Sequence, residues 1–174
     1  MLFYCIYFFI IGAFFGWVLE CTFKAFSRNF KRAPGILYSP FCILYGIGTV
    51  MLATIIPMIT SNWFLQFLLS AVILTVCEYI TYDLLFKMYG ITLWDYSDMT
   101  LVINKKVCFE FAITWGILGV LFINFILPIF TSVFYIFSGK IMYLILFAIF
   151  TLICLDLLYT NEKLIKEKPI INKV

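Results

Sequence analysis

Five apolar stretches, each long enough to cross a bilayer, divide this chain and leave little choice of fold. A span needs about 20 apolar residues, and the stretches run roughly from Leu2 to Leu19, Ile36 to Ile59, Trp63 to Phe86, Val107 to Ile129 and Ile141 to Tyr159. Lipid offers backbone N–H and C=O groups no water, so such segments close their hydrogen bonds internally as helices. The composition agrees: with 65% hydrophobic and 12% charged residues, the 174 residues carry too little polar surface to clothe a soluble domain. The expectation is an all-α polytopic membrane helical bundle of five transmembrane helices, a single domain ending in a tail from residue 160. No Lys or Arg precedes the first run and no small-residue cleavage site follows it, so that run is expected to stay as a helix.

The basic residues orient the bundle. Lys24, Arg28, Lys31 and Arg32 follow the first run, Lys87, Lys105 and Lys106 flank the third loop, and Lys163, Lys166, Lys168 and Lys173 lie in the tail. With five spans all of these fall on one side and Lys140 alone on the other. The positive-inside rule then puts the N-terminus outside and the C-terminus in the cytoplasm. The net charge of +3 therefore speaks of topology, and no nucleic-acid partner is expected. Phe23, Phe26 and Phe30 alternate with the first basic cluster, a pattern that fits a topology anchor or an amphipathic helix on the inner leaflet. In the second run, Pro40, Gly46, Gly48 and Pro57 argue against a uniform helix and for an unwound start near Tyr38-Ser39-Pro40. Phe130 to Phe137 reads as a segment for the interface.

Chemistry is sparse. The chain has no His, and its six cysteines show no C-x-x-C spacing, so they read as small packing residues. Zinc and Ser-His chemistry are not expected. No cofactor, metal or catalytic residue is expected either, because carboxylates are present without a paired nucleophile and base.

The informative polar residues lie inside the spans: Glu20, Glu78, Asp83, Glu110 and Asp156. Burying a carboxylate in a spanning helix is disfavoured by roughly 2.5 kcal/mol or more, so such residues serve pathways, coordination or interhelical partners. Glu78 is the deepest. Nine residues separate it from Lys87, about 13 Å at 1.5 Å per residue, close to the midplane. Ala71, Thr75, Glu78 and Tyr82 share one arc, which should face the bundle. Glu110, Thr114, Ile117, Leu121 and Asn124 form a second stripe, and Gly12 and Gly16 form a G-x-x-x-G for close helix approach. Glu78, Glu20, Glu110 and Lys106 are the candidate polar centre. Trp94, Asp95, Tyr96 and Ser97 combine interfacial aromatics with turn formers and read as a cytoplasmic anchor or docking surface.

Trp94-Asp95-Tyr96-Ser97 also belongs to a larger set of motifs. With Gly16-Trp17-x-x-Glu20, Gly35-x-Leu37, Ser39-Pro40-Phe41-Cys42-Ile43-Leu44-Tyr45-Gly46-x-Gly48, Glu78-Tyr79-x-Thr81 and Trp115-Gly116, it resembles the small bacterial membrane proteins of the ABC-transporter permease family, type IV. The similarity runs from about Gly12 to Gly119. Ser39 stands where the family has Gly, and Leu44 where it has a second Pro. The family's Asn-x-x-Gly-Arg after W-D-Y-S falls on Val102, Lys105 and Lys106, and Lys lacks the bidentate fork of Arg. The resemblance implies a transport component, permease or accessory subunit. No G-x-x-x-x-G-K-[ST] occurs, so the implied ATPase is a separate subunit. Five spans are few for a complete pathway, which implies a homo-oligomer or other membrane subunits. The competing reading is a membrane binding or assembly factor that transports nothing, with structural acids.

Overall fold

In the computed structural model, residues 1–26 and 35–171 are described. Helices α1 (Leu2–Phe26), α2 (Ile43–Ile59), α3 (Trp63–Tyr89), α4 (Phe109–Leu121), α5 (Leu127–Phe137) and α6 (Lys140–Ile171) make up nearly all of it. A two-stranded antiparallel ribbon, β1 (Val102–Ile103) and β2 (Val107–Cys108), precedes α4. Residues Phe122–Ile126 form a π-helical turn between α4 and α5, so 109–137 is one continuous helical rod. Four helical stretches are long and apolar enough to cross a membrane, and α2 is a shorter apolar helix of 17 residues. The architecture is an all-α membrane bundle, as expected. The basic cluster from Arg28 to Arg32 and residues Lys173 and Val174 lie outside the described residues.

Successive helices run in alternating directions. At one end the Tyr4 hydroxyl meets Thr131 at 3.0 Å, Tyr7 donates to the Phe130 carbonyl at 3.1 Å, and Phe3 stacks on Tyr143. At the other, Tyr89 donates to Asn161 at 2.6 Å. The apolar core, with Phe8, Ile56, Ile123, Leu127 and Phe134, sits toward the first end. Polar contacts collect toward the second.

Helices in lipid gain little from the hydrophobic effect, so close packing by small residues holds them together. A Cβ on Gly12 would overlap Thr49, and one on Gly16 would overlap Tyr45, so the expected G-x-x-x-G is the α1–α2 seam. Gly116 faces the Phe67 ring, where a Cβ would come within 2.5 Å, and Gly119 faces Ser70. These two form the α3–α4 seam. The outer face of α3 shows Val72, Val76, Ile80 and Leu84 to the surroundings, a stripe that belongs against lipid.

Several boundaries differ from the sequence expectation. The second helix starts at Ile43 rather than Ile36, because residues ahead of a proline disfavour the α region; residues 35–42 are the unwound start anticipated there. The fourth does not stop near Ile129 with an interfacial segment after it. Pro128, which lacks an N–H, is accommodated by the π turn, and the helix continues through Phe137. Val107 and Cys108 belong to the ribbon, and α6 takes in most of the residues read as a tail.

Candidate functional site

The last turns of α3 and the loop after it build the site together. Gly90 caps α3 in the left-handed region at φ 73°, a conformation that glycine adopts without strain, and it turns the chain back. The loop is then fastened to the ribbon and to α3. The Tyr96 N–H donates to the Lys105 carbonyl at 3.1 Å, and the Trp94 indole donates to the Lys106 carbonyl at 2.8 Å. The Lys106 ammonium pairs with Asp83 at 2.5 Å and lies 4.3 Å over the Tyr79 ring. Asp95 accepts the Ser97 N–H at 2.9 Å, a local turn. These anchors turn the Tyr96 side chain inward.

Tyr96 reaches Glu78. Its hydroxyl donates to Glu78 Oε1 at 2.7 Å, and the Trp115 indole from α4 donates to Oε2 at 3.1 Å. Glu78 is 4% exposed. Tyr96 stacks on Phe111 at 4.8 Å, and Trp115 meets the edge of Tyr45 at 5.9 Å, so both donors are held in place. Burial, and after it the Glu78 charge, pushes the Tyr96 phenol above its ordinary range, which keeps its proton available for donation. Both donors are neutral, and among the described residues no Lys or Arg reaches Glu78.

Glu78 also lines a cavity of about 400 Å³ bounded by α1, α2, α3 and the α4–α5 rod. Gly12, Gly16 and Gly48 make its smooth wall; Tyr45, Trp115 and Glu78 make its polar end. Two further groups lie on the same face of α3, Gln66 and Ser70, both buried. Gln66 accepts from Asn124 at 2.7 Å, which ties the π turn to α3.

The candidate centre joined Glu20, Glu110 and Lys106 to Glu78; the structure gives these three, and the other inner-half acids Asp83 and Asp156, partners of their own. Glu20 accepts the Gly35 N–H at 2.7 Å and the Cys42 thiol. Asp156 accepts the Ser39 N–H at 2.7 Å, the Tyr38 N–H at 3.3 Å and the Ser39 hydroxyl. Both hold backbone donors freed by the unwound segment, which is a structural task. Glu110 accepts from the Thr100 N–H at 3.1 Å and its hydroxyl, and Asp83 bridges Lys87 and Lys106. Lys106 therefore serves Asp83 and the loop rather than Glu78.

The W-D-Y-S segment is no flat surface patch either: Tyr96 and Trp94 point into the protein while Asp95 and Ser97 stay exposed. Of the second stripe, Thr114, Ile117 and Leu121 face outward, while the glycine face of α4 packs against α3. The arc around Glu78 on α3 does face the bundle. The sequence reading assigned no chemical role to Trp115 or Tyr45, although both stand in the motifs. Trp17, half-buried, stacks on Phe14 at 6.5 Å, and Pro40 is exposed; Gly46 lies against Phe9.

A bundle of apolar helices closed around one buried carboxylate and a membrane-depth cavity defines an α-helical membrane protein with a polar centre inside the bundle. Its motifs concentrate there: Gly16, Tyr45, Gly48, Glu78 and Trp115 all line the cavity. The chain belongs to the family described as "Putative ABC-transporter type IV", which matches residues 7–161. No curated protein and no solved structure matches it.

Proposed function

We propose that this protein is the membrane-embedded component of an ABC-type transporter, a permease or accessory subunit in a bacterial cell membrane. Its nucleotide-hydrolysing partner is a separate polypeptide. Family membership supports the assignment, and one observation carries it to a site: Glu78 is buried at the end of a 400 Å³ cavity, held, among the described residues, by neutral donors only. A carboxylate kept at that depth without a cation of its own is a functional group by default. The N-terminus lies outside, and the loop 90–108 with the end of α6 lies in the cytoplasm, since the ends of α3 and α6 share one end of the bundle and carry the basic residues.

The test is Glu78→Gln in the native organism. Membrane abundance should stay near that of the parent while complementation of a deletion phenotype is lost; full complementation would refute the assignment. Affinity purification in mild detergent should recover an ATPase subunit. A non-transporting assembly factor is the second reading, favoured because Glu20, Asp83, Glu110 and Asp156 all have structural partners. Under it, Glu78→Gln depletes the protein itself.

A further inference from the structure

We propose that the cavity binds a hydrophobic ammonium ion, its cationic nitrogen at Glu78 beside Tyr45 and Trp115 and its apolar body along the Gly12–Gly16–Gly48 wall. The inference rests on the transport reading above and names the class of molecule that the site takes.

Charge complementarity points to a cation. Among the described residues, Glu78 is the one carboxylate lining the cavity, and neither Lys nor Arg lines it. A carboxylate has about four lone-pair positions, and Tyr96 and Trp115 use two of them, so each oxygen keeps room for another donor or a close cation. The aromatic pair beside it adds attraction. Tyr45 and Trp115 stand edge to face at 5.9 Å and both line the cavity, and aromatic faces next to a carboxylate recognise ammonium and quaternary ammonium groups.

The remaining wall fixes the body of the ligand. Apart from Thr49, the remaining wall, with Leu44, Leu52, Leu74 and the glycines, is apolar, so an alkyl or aryl group gains by entering while a sugar or peptide would lose most of its hydrogen bonds. Phosphate is excluded by the same inventory, since it would meet Glu78 with no cation to hold it. That argues against a phospholipid headgroup. Size argues against a helix from another chain: a cylinder about 10 Å across takes up roughly 80 Å³ per Å of length, so 400 Å³ holds about one turn. A drug-sized molecule does fit, because pockets for such ligands start near 300 Å³.

The route in is lateral. Phe15, Leu19, Leu118 and Ile126 line the cavity and are exposed on the bundle surface, so its mouth lies between α1 and the α4–α5 rod. An amphiphilic cation dissolved in the membrane could enter there, while Tyr96 closes the end next to the loop.

The experiment uses the full chain in maltoside micelles, which contain no amine or phosphate. Tritiated dodecyltrimethylammonium is the cationic probe and dodecanol the neutral one, with binding read by scintillation proximity. Saturable binding of the cation is expected. Glu78→Gln should weaken it by about tenfold or more, because it removes a charge contact in a low-dielectric site, and should leave dodecanol unchanged. Leu118→Trp, which keeps the carboxylate and fills the mouth, should reduce binding of both probes. Equal affinity for the two probes would mark a plain acyl-chain slot and overturn the proposal, as would cation binding that both variants leave intact. If neither probe binds but the chain dimerises and Leu118→Trp prevents it, the cleft takes a second copy and the proposal is again overturned. If the cation binds as expected but Glu78→Gln still complements fully, the transport reading alone is removed; if Glu78→Gln loses complementation but neither probe binds the parent chain, this ligand class alone is removed.

Discussion

Tyr96→Phe deletes a single hydroxyl, the one that joins the loop to the middle of the bundle. The ring and its 4.8 Å stack on Phe111 remain, so the change isolates the 2.7 Å bond to Glu78. A hydrogen bond to a charged group contributes about 1.5–3 kcal/mol, whereas polar pairs measured within membrane bundles average about 0.6 and reach about 1.7. The first figure should weigh more here. Glu78 is 4% exposed, so no water replaces the lost donor, and about 1.5 kcal/mol of destabilisation is expected. In the Glu78→Gln background the hydroxyl meets a neutral amide oxygen, and its loss should cost only about 0.5 kcal/mol. The double-mutant cycle thus predicts a coupling of about 1 kcal/mol, measured by unfolding the purified protein from maltoside micelles with increasing dodecyl sulfate and following tryptophan fluorescence. Trp115 reports directly on the site. Additivity within about 0.3 kcal/mol would mean that Tyr96 does not reach Glu78, and the loop-to-bundle connection described above would be wrong.

Other perturbations test separate parts of the structure. Gly16→Val should wedge α1 from α2 by driving a side chain into Tyr45, costing about 1–3 kcal/mol from overpacking and lowering folded yield in size-exclusion chromatography. Lys105 sits at φ 64°, where the family pattern has glycine, so Lys105→Gly should stabilise the ribbon by about 1 kcal/mol of relieved backbone strain; slower amide exchange at Tyr96 would verify it, and faster exchange would refute it. Asp156→Ala leaves the Tyr38 and Ser39 N–H groups without their acceptor, and protease cleavage near Ser39 should accelerate with little change in the outer core. For topology, a thiol introduced by Asp98→Cys should resist impermeant reagents in intact cells, and one from Ser138→Cys should react. The reverse pattern would invert the assignment.

Much of this was legible in one dimension because lipid enforces simple rules. The apolar runs, the segregation of Lys and Arg, the break at Ser39-Pro40 and the G-x-x-x-G seam each follow from local chemistry. The isolation of Glu78 was visible as well: its burial has a cost, and its own helix offers no cation within two turns of it. Its partners were not. Tyr96 lies 18 residues away and Trp115 lies 37, and neither distance has a period to read. The sorting of the acids was equally hidden, since Glu20 and Asp156 are claimed by the amides of an unwound segment whose path depends on how α1 and α6 pack around it.

What the sequence by itself determined is the membrane class, the number of apolar helices and the residue whose burial demands explanation. Only the tertiary structure decided that the W-D-Y-S loop folds inward, that one acid faces a cavity while four serve local structure, and that glycines from two helices bring α1, α2 and α3 close together beside it. The physical reason is one of range. Hydropathy and charge act on each segment through the surrounding solvent, whereas hydrogen bonds and steric fit act over a few ångströms between segments that only the assembled bundle brings together.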